Sequence, residues 1–308
     1  MPDISVLLRG INPVRILFYF DRMRIWLREP LSSQDRKSLE QNCPGMYEES
    51  ALFGPYYHKV ELYQPNEFGL ATLAHLPDDA MVTYLEPTCD VIMTDVAQME
   101  RVLDAFKHGF RQPWHRKKGV QSYSSGFSTR TPPKPGERRA GSWFNWYIDH
   151  PCKLTGEAHC FHFEGKNEGR QFVKRLGIQH PRDLKDFDFD AYFRKHMRLY
   201  RVDLERLGRY HHNKRTRAKR KRTSPDDRKR GMILYRVLSA HADQEDRSLQ
   251  RFLDQYGTGA YPYLTSYNIY DHWHKSVTSQ SIPIIERQLP RDKGNAKLST
   301  ILIYHVGT

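Results

Sequence analysis

Residues 144–164 read Phe-Asn-Trp-Tyr-Ile-Asp-His-Pro-Cys-Lys-Leu-Thr-Gly-Glu-Ala-His-Cys-Phe-His-Phe-Glu. Strand-like runs at Trp143 to Ile148 and Ala158 to Glu164 flank a turn at Asp149 to Glu157, the pattern of an antiparallel hairpin. Alternate residues of a strand share a face, so Cys160, His162 and Glu164 point one way and Phe161 and Phe163 the other. The phenylalanines suit a core. The imidazole and the carboxylate suit one divalent cation, a mixed nitrogen and oxygen set compatible with manganese, with zinc or less ideally with magnesium. A half-exposed strand with a surface histidine and glutamate would show the same alternation.

A second acidic strand, Met81-Val-Thr-Tyr-Leu-Glu-Pro-Thr-Cys-Asp90, offers further ligands. Tyr84, Glu86 and Thr88 share one face and Asp90 continues it. Pro87 lacks a backbone N–H, which points to an edge, a bulge or the end of the strand. If Glu86 and Asp90 stood beside Glu164 without a cation, the carboxylates would repel and one would stay protonated. The expected metal set is therefore Glu164, Asp90 and Glu86, with His162 as an additional ligand.

The chain has 308 residues, with 49 Lys and Arg against 36 Asp and Glu, a formal charge of +13. That balance favours a polyanion, nucleic acid or an anionic membrane surface. No stretch approaches the roughly 20 apolar residues of a spanning helix, and the start Met-Pro-Asp-Ile has no signal-peptide pattern, so no membrane partner is expected. Cys43, Cys89, Cys152 and Cys160 form no Cys-x-x-Cys pair, which suits a reducing cytoplasm, and Cys160 reads as a small buried residue.

The fold class expected is α+β: antiparallel sheets with packed helices, in two β-rich and pseudo-symmetric halves, followed by a small, mostly helical C-terminal segment. Strands are expected at Val14 to Leu27, His58 to Tyr63, Leu70 to Leu76 and from Met81 in the first half, and at Val120 to Ser128, Trp143 to Ile148 and Ala158 to Glu164 in the second. Helical spacing marks Asp95 to Phe110, opened by Thr94, and Glu168 to Leu176, stopped by Gly177. Another helix is expected after the Asp183 to Asp190 turn, through Tyr192 and Met197 to Leu207. The domain reading is 1–212 for the α+β unit, 213–230 for a basic linker and 231–308 for an accessory segment with a helix at Arg247 to Tyr256. In that segment Asp271-His-Trp-His274 offers two histidines, for which packing is the commoner role than metal ligation.

Two basic runs are candidate DNA contacts. Arg130, Lys134, Arg138 and Arg139 lie in a proline-rich hairpin tip. Lys214, Arg215, Arg217, Lys219, Arg220, Lys221 and Arg222 concentrate seven cations in nine residues. A solvated tip and a solvated linker are the alternative readings.

A tyrosine hydroxyl can attack a phosphodiester if something offsets the phosphate charge and something promotes deprotonation of a phenol whose ordinary pKa is roughly 10. Tyr147 is the candidate nucleophile. Asp149 shares its face and could orient it or accept its proton, and Lys153 in the turn could stabilise phosphate charge. The alternatives are a half-buried strand aromatic, a turn residue and a solvated cation. Tyr123, Tyr192 and Tyr200 are weaker candidates among 18 tyrosines.

The order of an acidic strand with Glu86 and Asp90, a helix, Trp146-Tyr147-Ile148-Asp149, Lys153, Cys160-x-His162-x-Glu164, Gly169-Arg170 and Leu176-Gly177-Ile178 resembles the trans-acting rolling-circle replication initiators of plasmids and filamentous phages. In that family a strand carries Arg-Ile-Tyr-Asp-Lys-like residues with the tyrosine as nucleophile, and a later strand gives a glutamate to the metal site. The resemblance spans roughly residues 14–209. It implies that Tyr147 nicks, that Asp149 stands beside it, and that Glu164 and Asp90 hold Mg2+ or Mn2+. It further implies origin DNA, single-stranded or cruciform, as substrate, with a host helicase and a second copy of the chain as partners. The chain departs from the family where Leu85-Glu86-Pro87 replaces an arginine before an aspartate, and where Cys160 replaces an aromatic residue. A DNA-binding regulator without cleavage is the rival expectation.

Overall fold

The computed structural model describes residues 8, 10–111, 121–122, 126–129, 140–203, 205–206, 209, 253 and 263–278. Among them, eight strands form one antiparallel sheet: β1 (Arg15–Leu27), β2 (Gly45–Phe53), β3 (Tyr56–Tyr63), β4 (Met81–Ile92), β5 (Gln121–Ser122), β6 (Gly126–Ser128), β7 (Gly141–Tyr147) and β8 (Cys160–Glu168). Their spatial order is β2-β3-β1-β4-β8-β7-β6-β5. Each half of the chain supplies four neighbouring strands, and the β4–β8 pairing joins them into a single sheet. The architecture is α+β with antiparallel sheets.

Phenylalanine and tryptophan alternation fixes the core face. Phe18 and Phe20 on β1, Phe144 and Trp146 on β7, and Phe161 and Phe163 on β8 all turn to one side and are buried. Helix α3 (Val96–Gly109) lies on that side and sets Phe106 4.9 Å from the Phe161 ring and 5.5 Å from Phe163. Helix α5 (Phe189–His196) closes the same layer, with Phe193 stacked 5.4 Å from Phe18. Further helices among the described residues are α1 (Ser33–Asn42), α2 (Glu67–Ala74) and α4 (Arg170–Lys174), with a 3-10 helix at Pro181–Asp186.

Several expectations are corrected. Leu70 to Leu76 is not a strand: most of it lies in α2, because Asn66 accepts the Gly69 N–H at 3.0 Å and caps a helix whose Leu70 and Leu73 recur at helical spacing into the core. The cap of α3 is Asp95 rather than Thr94; its carboxylate accepts the Gln98 N–H at 2.8 Å. The helix expected to continue to Leu207 ends at His196, and Arg198–Val202 instead forms β9. The reason is long-range: β9 pairs antiparallel with β10 (Leu264–Asn268), so its backbone groups find partners a helix prediction does not see.

Helix α6 (Ile269–Thr278) follows β10 directly. Its Ile269, Tyr270 and Trp273 are buried in the same core as Phe18, Phe106 and Phe161. Residues 264–278, which the sequence reading assigns to an accessory segment, thus pack into the core of the first 212 residues. His272 lies tilted against Tyr267 at 5.8 Å, a packing role. The helix expected at Arg247 to Tyr256 lies outside the described residues except Leu253. Residues 213–230 also lie outside them. No described helix is long and apolar enough to cross a membrane.

Candidate functional site

The face of the sheet opposite the helices carries the polar residues. On β8, Cys160, His162 and Glu164 do share this face, and Tyr147 on β7 stands directly opposite His162. The two rings stack at 4.6 Å. On β4, Thr88 pairs with Glu164 and Asp90 with His162.

Pro87 is accommodated in the middle of the sheet. The β4–β8 pairing runs from Tyr84 opposite Glu168 through Leu85 opposite Asn167 and resumes at Thr88 opposite Glu164, stepping over Glu86 and Pro87 without losing register. On its other side β4 meets a bulge. Phe20 is opposite Pro87 and Arg22 is opposite Glu86, so Asp21 is the extra residue of β1. The bulge brings both Asp21 and Arg22 to the cleft, although strict alternation would separate them.

Three carboxylates meet there. Ligand oxygens of Asp21, Glu86 and Glu164 lie within 4.8 Å of one another, and all three residues are buried. Lys153 donates to Glu164 Oε1 at 3.0 Å and to Asp21 Oδ2 at 2.5 Å. Lys166 lies 3.1 Å from Glu164 Oε2 and 2.7 Å from Glu86 Oε1 and forms an ion pair with each. The Tyr84 hydroxyl donates to Glu86 Oε2 at 2.5 Å. The Tyr147 hydroxyl donates to Glu164 Oε1, and the Lys153 ammonium sits 5.9 Å from the centre of the Tyr147 ring. The cleft above these groups is open and measures about 620 Å³.

The charges divide the two glutamates. Burial pushes Glu164 up, but the Lys166 and Lys153 ammonium groups and the Tyr147 hydroxyl outweigh it and hold the carboxyl down at about 2. Burial and the neighbouring Glu164 charge raise Glu86 to about 7, against the pull of Lys166. Burial and the charge of Glu164 raise the Tyr147 phenol, so it is protonated as it stands. For both lysines, burial is outweighed by the carboxylates and the ammonium form is strengthened.

The four expected metal ligands fall into two groups. Glu86 and Glu164 belong to the cleft with Asp21. Asp90 and His162 form a second group with Cys160, fully buried. There His162 Nδ1 meets Asp90 Oδ1 at 2.7 Å, Nε2–H donates to the His150 carbonyl at 2.9 Å, and the Tyr19 hydroxyl donates to Asp90 Oδ2 at 3.0 Å. Burial of the imidazole is outweighed by Asp90, which raises its pKa. Both ring nitrogens are engaged, Nδ1 by Asp90 and Nε2 by the His150 carbonyl, so in this structure the group pairs internally.

The other site expectations fare differently. Lys153 reaches the carboxylates. Asp149 lines the cleft, but the partner it meets is His150 at 3.6 Å and not Tyr147. Arg130, Lys134, Arg138, Arg139, Tyr123 and the seven cations between Lys214 and Arg222 lie outside the described residues. Sequence reading missed Asp21 and Lys166. Lys166 continues the 160-162-164 alternation by one more step, and Asp21 is the lone acid in the apolar run Ile16-Leu-Phe-Tyr-Phe-Asp21, so each left a trace.

The donor set suits a hard dication. Three carboxylates converge, and such oxygens are the ligands Mg2+ and Mn2+ prefer. The second group, with its imidazole and thiol, has the donor types of a softer ion. No protein-family model and no curated protein matches the sequence.

Proposed function

We propose that the protein starts rolling-circle replication: Tyr147 attacks one phosphodiester of an origin strand, single-stranded or extruded as a cruciform, in a reaction assisted by Mg2+ or Mn2+. The observation that carries this reading is the convergence of the Tyr147 hydroxyl, the Lys153 ammonium and three carboxylates in one open cleft.

In the step, the Tyr147 oxygen bonds to phosphorus and the bond from phosphorus to the 3′ oxygen breaks. The phenolic proton ends on the released 3′ hydroxyl, so one phosphodiester replaces another and no co-reactant is consumed. Glu164 accepts the hydrogen bond of that proton and fixes the direction in which the phenol points. His162 stacks under the Tyr147 ring and fixes its plane, while Asp90 and the His150 carbonyl fix His162. Lys153 stands beside both Tyr147 and Glu164 and offers positive charge to the phosphate. A dication held by Asp21, Glu86 and Glu164 would supply the Lewis-acid charge that the pentavalent phosphate needs. A host helicase and a second copy of the chain are the partners that belong to this reading.

Incubation with Mn2+ or Mg2+ and single-stranded DNA from the genetic element that encodes the chain should give a covalent protein–DNA adduct. Tyr147→Phe should abolish it. Adduct formation undiminished in Tyr147→Phe would remove Tyr147 as nucleophile.

DNA binding without cleavage is favoured by one observation, that two lysine ammonium groups already pair with the three carboxylates. It expects salt-sensitive DNA binding indifferent to metal and to Tyr147→Phe.

A further inference from the structure

Lys166 has no part in the mechanism above, yet it occupies the place a cation would take between Glu86 and Glu164. We propose that Lys166 is an internal counter-ion that competes with the dication for these two carboxylates and, once displaced, binds the phosphate of the incoming strand. The inference rests on the metal-assisted reading and deepens it.

Charge and position carry the argument. When all three carboxylates are ionised and both lysines charged, these five groups sum to one net negative charge, which disfavours a phosphodiester; Arg22 and Asp149, which also line the cleft, offset each other. A dication added to the same five groups reverses the balance to one net positive charge, which one phosphodiester neutralises. Lys166 pairs with one oxygen of each glutamate, Glu86 Oε1 and Glu164 Oε2, so a dication that bridges those two oxygens displaces the ammonium.

It has somewhere to go. Glu86 and Glu164 side chains are 3% and 2% exposed, whereas Lys166 is 22% exposed and lines the open cleft. The stem is rooted on β8 opposite Trp143, so a rotation about its flexible side chain moves the ammonium away from the carboxylates without moving the strand. Two like charges near one another then favour an anion above them, and the strand's phosphate supplies it. Metal entry and phosphate binding are thereby coupled through one side chain.

The test measures Mn2+ affinity in the absence of DNA, by the paramagnetic signal of free Mn2+, for the full-length protein and for Lys166→Met. Removal of the competing ammonium should tighten Mn2+ binding by about tenfold or more. The same variant should bind single-stranded DNA in the presence of Mn2+ about tenfold more weakly, and Lys166→Arg should restore that binding. Lys166→Gln replaces Lys166→Met if the methionine variant does not fold, and the rise in melting temperature on adding Mn2+ gives an independent readout, larger in the variant than in the parent. Equal or weaker Mn2+ binding in both neutral variants would overturn the role of Lys166 while leaving the nicking reaction standing. Absence of Mn2+ binding in the parent and the variants alike would overturn the inference together with the metal-assisted reading, whereas an adduct that survives Tyr147→Phe would remove the nucleophile and leave the Lys166 result intact.

Discussion

Asp90 and His162 face each other on β4 and β8 a few residues from Glu86 and Glu164, on the same side of the same two strands. The first pair is sealed: neither side chain is exposed, and each ring nitrogen and carboxylate oxygen has a partner. The second group is open to a cleft, and its partners are two lysines at 22% and 29% exposure. Residue type therefore does not separate a site from a strut here. What separates them is whether the charges are held by groups that can move.

The largest effect that would break this contrast is on stability. Asp90→Ala leaves His162 buried without its carboxylate and should cost about 3–5 kcal/mol in urea unfolding, as for other broken buried pairs, while the folded fraction still binds Mn2+. A cost well below that would mean the pair carries no charge. Next comes geometry. A Cβ at Gly126 would meet the Trp146 carbonyl oxygen at 2.5 Å and the Tyr147 Cβ at 2.6 Å, so Gly126→Ala must push β6 and β7 apart and is expected to displace Tyr147, the nucleophile of the proposed reaction. Adduct formation should drop by about 100-fold with Mn2+ affinity unchanged, a separation that follows if Tyr147 alone has moved.

A third prediction concerns pH in the presence of a chelator. Glu164 lies below its ordinary 4.5, so the stability it contributes is present above that value and lost as pH falls toward about 2. Glu86 is raised, so its effect has the opposite sign: there is no penalty below about 4.5 and a full one above about 7. Glu86→Gln should therefore match the parent in stability near pH 4 and exceed it above pH 7. A variant that is less stable than the parent at alkaline pH would show that the Lys166 pair outweighs burial. The smallest effect belongs to the sealed pair. Tyr19→Phe removes one hydrogen bond to Asp90 and should cost about 1.5–3 kcal/mol with Mn2+ binding at the cleft preserved.

The hairpin that positions Tyr147 against Glu164 was legible because strand alternation is local and the phenylalanines mark the core side. The face shared by Glu86 and Asp90 was legible for the same reason. Asp21 was not assigned, because its direction depends on a bulge and only the register against Glu86 and Pro87 reveals one. The division of Asp90 and His162 from the cleft was hidden too: it depends on Tyr19, 71 residues from Asp90, and on the His150 carbonyl. Likewise the sequence of β9 suits a helix because its strand partner is far along the chain: Arg201 and the Thr265 it touches are 64 positions apart.

That late partner has a consequence for biosynthesis. Until residues 264–278 have left the ribosome, the hollow beside Phe18, Phe106 and Phe161 lacks Tyr270 and Trp273. A nascent chain of 212 residues would hold a nearly complete sheet with a greasy opening on its helical side. A polypeptide stopped there would be a client for chaperones and a seed for aggregation, so a truncation meant to isolate the large sheet should retain the stretch through Thr278.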